Sequence, residues 1–172
     1  MAQVGPIIRP ETADDHAAIG HVTEAAFLGR PYADGDEAEI VEVLRRDGAL
    51  SVSLVAELSG VVVGHIALSP ATPSDASTGW YALGPVSVLP EHQRRGIGVA
   101  LVNAALHMIV ARGAEGCILT GDPGYYARFG FTLSPSNAPP GEPPEYFMVK
   151  LLSQGRLPSG PIAFHRAFGR AR

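Results

Sequence analysis

Gln93-Arg94-Arg95-Gly96-Ile97-Gly98 is the stretch whose residue types and spacing point most directly to chemistry. An apolar run from Tyr81 to Val88 and a short polar loop precede it, and a long apolar-periodic segment follows. This pattern is a strand feeding a glycine-rich helix start. The first N–H groups of a helix lack intrahelical acceptors, and the aligned peptide dipoles make that end positive, so it can receive a phosphate. Gly96 and Gly98 remove side chains where a ligand must touch backbone, while Arg94 and Arg95 add charge beside it. The expected ligand is an anion such as a pyrophosphate.

Gly84-Pro85 lies inside the preceding strand, where a proline cannot donate to a ladder and marks a bulge or splay. Such a break frees main-chain groups of Val86, Ser87 and Val88 to pair with a ligand as an added strand would. Coenzyme A offers both amides, in its pantetheine arm, and a pyrophosphate, and it carries acyl groups. Two phosphate-binding alternatives fit less well. A dinucleotide fingerprint starting at Gly96 would need a third glycine where Leu101 stands and a tight turn where seven residues separate Val88 from Gly96. A Walker-type loop would need a Gly-Lys-Ser or Gly-Lys-Thr that does not follow.

The elements that must position these residues can be read from periodicity and punctuation. Ile7 to Arg9 is a short strand stopped by Pro10, and Thr12 with Asp14 and Asp15 opens a helix running to about Phe27. After a Gly/Pro break, Asp36 to Arg46 spaces Ile40, Val43 and Leu44 on one helical face. Residues 51–57 and 61–68, joined by Leu58-Ser59-Gly60, read as an antiparallel hairpin. Residues 80–88 form the next strand. The helix over 96–112 places Ile97, Leu101, Ala105 and Met108 on one face with Val102 and Ile109 beside it. Residues 116–120 are a strand, Asp122-Pro123 opens a short helix over 124–129, and 131–133 returns as a strand. Residues 134–145 hold five prolines and no regular element, and 146–152 and 161–168 are read as two last strands. The expected class is α/β (α+β): a mixed sheet of about seven strands, splayed at the ligand site and flanked by about four helices, in one domain over 1–172.

Thirteen Lys and Arg against seventeen Asp and Glu give a net charge of −4, which argues against binding to nucleic acid or an acidic membrane through bulk charge. One cysteine, Cys117, permits no internal disulfide and reads as a buried strand residue. No signal-peptide or membrane-spanning pattern is seen, so the cytoplasm is the expected location. His65, His107 and His165 share no metal-ligand spacing and read as structural or surface residues; no metal is implied.

Pro90-Glu-His-Gln-Arg-Arg-Gly-Ile-Gly98 after a Val-Ser-Val strand resembles the acetyl-CoA signature of the GNAT N-acetyltransferase superfamily. Gly121-Asp-Pro-Gly-Tyr-Tyr-Ala-Arg-Phe-Gly-Phe131 is similar to its second motif, and the element order resembles that fold over nearly the whole chain. The second motif and the strand from Phe147 to Leu151 resemble the small YhbS-type bacterial subgroup.

The resemblance implies acetyl transfer from acetyl-CoA to a primary amine. Val86, Ser87 and Val88 would hold pantetheine by main chain, and Arg94, Arg95, Gly96, Ile97, Gly98 and Val99 would cradle the pyrophosphate. Tyr126, five residues before Phe131, would protonate the departing thiolate, with Tyr125 as packing. An N–H of Val86 or Val88 is the candidate oxyanion donor. The strand over 80–88 holds no Asp or Glu, so the base is unassigned; Asp122 is read as a helix cap. Asp34, Asp36 and Glu37 either attract a cationic amine or serve a solvated helix start. The acceptor is a small-molecule or protein amine, the assembly a monomer or homodimer, and the alternative function a non-catalytic acetyl-CoA sensor.

Overall fold

The structure is a computed structural model that describes residues 4–169; the outermost positions of the expected 1–172 domain lie outside them. Nine strands and four α-helices alternate along the described residues: β1 (Ile7–Pro10), α1 (His16–Phe27), α2 (Glu37–Arg46), β2 (Val52–Leu58), β3 (Val61–Pro70), β4 (Thr72–Pro73), β5 (Trp80–Val88), α3 (Ile97–Ala111), β6 (Gly116–Thr120), α4 (Pro123–Tyr126), β7 (Thr132–Leu133), β8 (Phe147–Leu151) and β9 (Ile162–Ala163). Seven of the strands form one mixed sheet in the order β1-β2-β3-β5-β6-β8-β7. All its pairings are antiparallel except β5 with β6.

Alternation along the strands sends apolar side chains to both faces, and a helix layer covers each. On one face Ile19 of α1 and Val41 of α2 pack on Val55 and Ala67. On the other, Leu101, Val102, Ala105 and Ile109 of α3 meet Leu54, Ile66 and Leu68. The α3 face is the one expected from spacing, with Leu106 buried as well and Met108 only half-buried. At the start of the first helical segment Asp15 accepts from the Thr12 N–H at 2.7 Å and from Arg9 at 2.7 Å, while Arg9 also reaches Glu57 at 2.8 Å. That network ties β1, β2 and α1 together. It holds the Asp15 carboxyl well below the usual range, chiefly through the Arg9 hydrogen bond.

The expected strand over 161–168 is corrected by the structure. Only Ile162 and Ala163 are extended, and they pair with Thr72–Pro73 in a separate two-stranded sheet. Residues 166–169 turn into a 3₁₀ helix because His165 Nδ1 accepts the Ala167 N–H and the His165 carbonyl accepts the Phe168 N–H. No helix of the described residues is long and apolar enough to cross a membrane.

Candidate active site

β5 pairs with β3 over most of its length, out to Val88 opposite Gly64, but with β6 only through Trp80–Ala82 opposite Gly116–Ile118. Beyond Ala82 the two central strands separate. The β3 register shifts between Ile66 and Leu68, opposite the cis Gly84-Pro85 step, so the bulge stands where the proline withholds its donor. Which groups the splay frees follows from strand alternation. The Leu89 N–H donates to Val63 O at 2.9 Å, across to β3. Ser87 therefore also turns its N–H and C=O to β3, whereas those of Val86 and Val88 face the edge that β6 has left. Gln93 Nε2 donates to Val88 O at 3.0 Å from that side.

The edge opens into a cavity of about 570 Å³, within the range of small-molecule sites. Val86, Val88 and the helix start Gly96, Ile97, Gly98 and Val99 line it, with Arg94. Arg94 (φ 62°) and Gly96 (φ 82°) are left-handed, a turn that glycine adopts without strain and that brings the first N–H groups of α3 round to the cavity. At Gly98 the approach is close: a Cβ there would stand 3.3 Å from the Tyr125 hydroxyl. Arg94, Gly96–Val99, Val86 and Val88 are thus brought together in one lining. Ser87 and Arg95 are not. The Ser87 side chain is buried away from the lining, and Arg95 is exposed outside it.

α4 and the turn after it supply the opposite wall. Asp122 caps α4, its Oδ1 accepting from the Gly124 N–H at 2.9 Å, which settles its role as a cap. Tyr126 lies edge-on to Phe131 at 6.2 Å and Tyr125 at 5.0 Å, lines the cavity, and has no hydrogen-bond partner for its hydroxyl among the described residues. Burial pushes its phenol well above the usual tyrosine value, and neighbouring Tyr125, Tyr32 and Asp122 add to that. It is a neutral O–H donor at neutral pH.

Several lining residues were missed in the sequence. Tyr125 packs on Tyr126 and Phe129, the role read for it, and also places its hydroxyl beside the helix start. Phe27, the last residue of α1, and Tyr32, in the segment between α1 and α2, lie 6.3 Å apart and edge-on, and Arg30 of the same segment donates to Gln93 at 3.2 Å. His92 and Arg128 complete the polar lining. His92 and Gln93 sit inside the recognised glycine-rich stretch and were legible there as polar side chains next to a ligand. Tyr32 belongs to the segment over 28–37, which the family resemblance implies as part of the substrate wall, and the chain path between α1 and α2 brings it to the cavity. Among the described residues no Asp or Glu lines this cavity. Glu37 accepts the Asp34 N–H at 2.9 Å just before α2, the helix-start role. Nor do three or more His, Cys, Asp or Glu of the described residues gather as a metal site.

His65, His107, His165 and Cys117 are structural or surface groups. His65 is fully buried, with Nε2 2.8 Å from Ser53 Oγ; His165 pairs with Asp47 at 3.3 Å; His107 is exposed. Burial pushes the Cys117 thiol far up, so it does not ionise in the fold.

Residues 18–131 match the Acetyltransferase (GNAT) family. The uncharacterized N-acetyltransferase YhbS of Escherichia coli K12 is 34% identical over 110 residues, 63% of this chain and 66% of that protein, so the match spans just under two thirds of the relative. A GNAT family acetyltransferase from Brucella melitensis, solved in complex with acetyl-CoA, is 45% identical with a TM-score of 0.84, covering 95% of this chain and 97% of that one. The E. coli YhbS structure, in complex with CoA, superposes with a TM-score of 0.87 at 28% identity, over 99% and 94% of the two chains. With the splayed β5 edge, the glycine-rich α3 start and these matches together, the chain belongs to the GNAT family of acetyltransferases.

Proposed function

We propose that this protein transfers an acetyl group from acetyl-CoA to a primary amine. One observation carries the reading: the Val86 and Val88 main-chain edge, left by β6 and met only by the Gln93 side chain at Val88 O, runs directly into the glycine-rich N-terminus of α3 within one cavity. A ligand with amides followed by phosphates fits that sequence of groups, and relatives of this chain were crystallised with acetyl-CoA or CoA.

Acetyl-CoA supplies the activated acetyl thioester. The Val86 N–H, aimed at the open edge, is the candidate donor to the developing oxyanion. Tyr126, protonated and at the cavity wall, gives its proton or a hydrogen bond to the leaving thiolate. The attacking amine must be neutral, which for a pKa near 10 costs roughly 4 kcal/mol at pH 7. With no carboxylate in the described lining, the amine's proton passes to solvent in this reading. The same lining favours one alternative, a binding-competent sensor that does not turn over. A cytoplasmic location belongs to the proposal too, on the single buried cysteine.

Calorimetric titration with acetyl-CoA, with NADH and ATP as controls, tests the coenzyme, and thiol release with a panel of amines tests turnover. Saturable acetyl-CoA binding alone with thiol release supports the enzyme; binding without release for any amine supports the sensor; NADH binding instead removes the reading.

A further inference from the structure

Arg128 and Tyr125 line the cavity without belonging to the strand edge or the helix start. The Arg128 guanidinium lies over the Tyr125 ring, 4.6 Å from its centroid, and its Nε donates to Tyr125 O at 3.1 Å. Two contacts to one residue fix the plane of an otherwise exposed side chain. The terminal nitrogens have no protein partner among the described residues. Tyr125 is itself held, edge-on to Tyr126 at 5.0 Å and Phe129 at 5.6 Å, with its hydroxyl beside Gly98 in the first turn of α3.

A free, long side chain loses considerable rotamer entropy when it engages a ligand, and a planar guanidinium already stacked on a ring loses less. Its open Nη1/Nη2 edge matches the bidentate geometry of a phosphate. This cation sits on a different element from Arg94, so it extends the anion site to a second wall of the cavity.

We propose that Arg128, held flat on Tyr125, binds a phosphate of acetyl-CoA and that Tyr125 is its positioning residue. The inference rests on the acetyl-CoA reading above. The ligand chemistry is a phosphate ester or anhydride, present in the coenzyme both as the pyrophosphate and as the 3′-phosphate.

The test is calorimetry of acetyl-CoA, its 3′-dephospho form and acetyl-pantetheine against the wild type, Arg128→Gln, Arg128→Lys and Tyr125→Leu. Arg128→Gln is expected to bind acetyl-CoA about 10-fold more weakly, with acetyl-pantetheine affinity unchanged because it carries no phosphate at this position. Arg128→Lys keeps the charge without the planar stack and recovers only part of the loss. Tyr125→Leu keeps the arginine but frees it, and loses part of the affinity. Weakened binding of the dephospho form to Arg128→Gln assigns the contact to the pyrophosphate, and loss confined to the full coenzyme assigns it to the 3′-phosphate; each supports the proposal. Equal acetyl-CoA affinity in the wild type and Arg128→Gln overturns it while leaving the acetyl-CoA reading intact. An undiminished Tyr125→Leu removes the positioning role. A wild type that does not bind acetyl-CoA overturns both.

Discussion

Tyr126 combines two properties that a proton donor to a thiolate needs: a hydroxyl without an internal partner and a phenol held protonated by its apolar surroundings. Replacement by phenylalanine keeps the ring against Phe131 and removes only the donor. Turnover of an accepted amine is expected to fall about 100-fold in Tyr126→Phe, with acetyl-CoA affinity within about 2-fold of wild type. Unchanged kcat across pH would remove the assignment. At this scale the sequence was informative where chemistry is local. Arg94 and the residues 96–99 reached the cavity because a helix start fixes its own geometry. Ser87 did not, because strand alternation, set by the pairing with β3, turns its polar groups away from the open edge. Arg95 follows the left-handed Arg94 and leaves the lining.

Among the elements, α3 carries the sharpest dependence of function on one missing side chain. A valine at Gly98 would meet the far end of Tyr125, which can give way, but would stand over the N–H groups that face the cavity. Gly98→Val is expected to fold with a thermal midpoint near that of wild type and to lose at least about 100-fold in acetyl-CoA affinity, roughly 2.7 kcal/mol. Retained affinity would displace the phosphate from this helix start. Strand bounds were legible where the run pairs inside the main sheet: residues 80–88 and 116–120 match the expected spans, whereas the run over 161–168 does not. β4 and β9 were not, since two-residue strands show no period and their pairing joins positions some ninety residues apart. The proline-rich segment yields only short 3₁₀ turns at 135–137 and 144–146, in keeping with its lack of backbone donors.

For the whole molecule, two buried groups set the response to acid. His65 is pushed down to about 3 by burial, with the Arg45 charge adding to it. The unfolded chain binds a proton near pH 6.5 that the folded chain refuses, so stability present above that pH declines as pH falls through 6.5 toward 3. Asp15, depressed by Arg9, adds a second decline below about pH 4, where the unfolded carboxylate protonates first. Denaturation midpoints measured from pH 7 to 3 should fall in both stages. His65→Gln should flatten the first and Asp15→Asn the second. A parallel profile in either variant would contradict the assignment.

The three-residue seam between Trp80–Ala82 and Gly116–Ile118 also sets how the centre of the sheet exchanges with solvent. Amides in a central strand ordinarily exchange only when the protein opens widely. Here protection should alternate within one strand: Ser87 and Leu89, bonded to β3, exchange slowly, while Val86 and Val88 exchange as fast as loop amides although they lie mid-sheet. Hydrogen–deuterium exchange followed residue by residue reads this directly. Within this strand, saturating acetyl-CoA should slow Val86 and Val88 and leave Ser87 and Leu89 unchanged, so that two mid-sheet amides at the open edge report occupancy of the coenzyme groove.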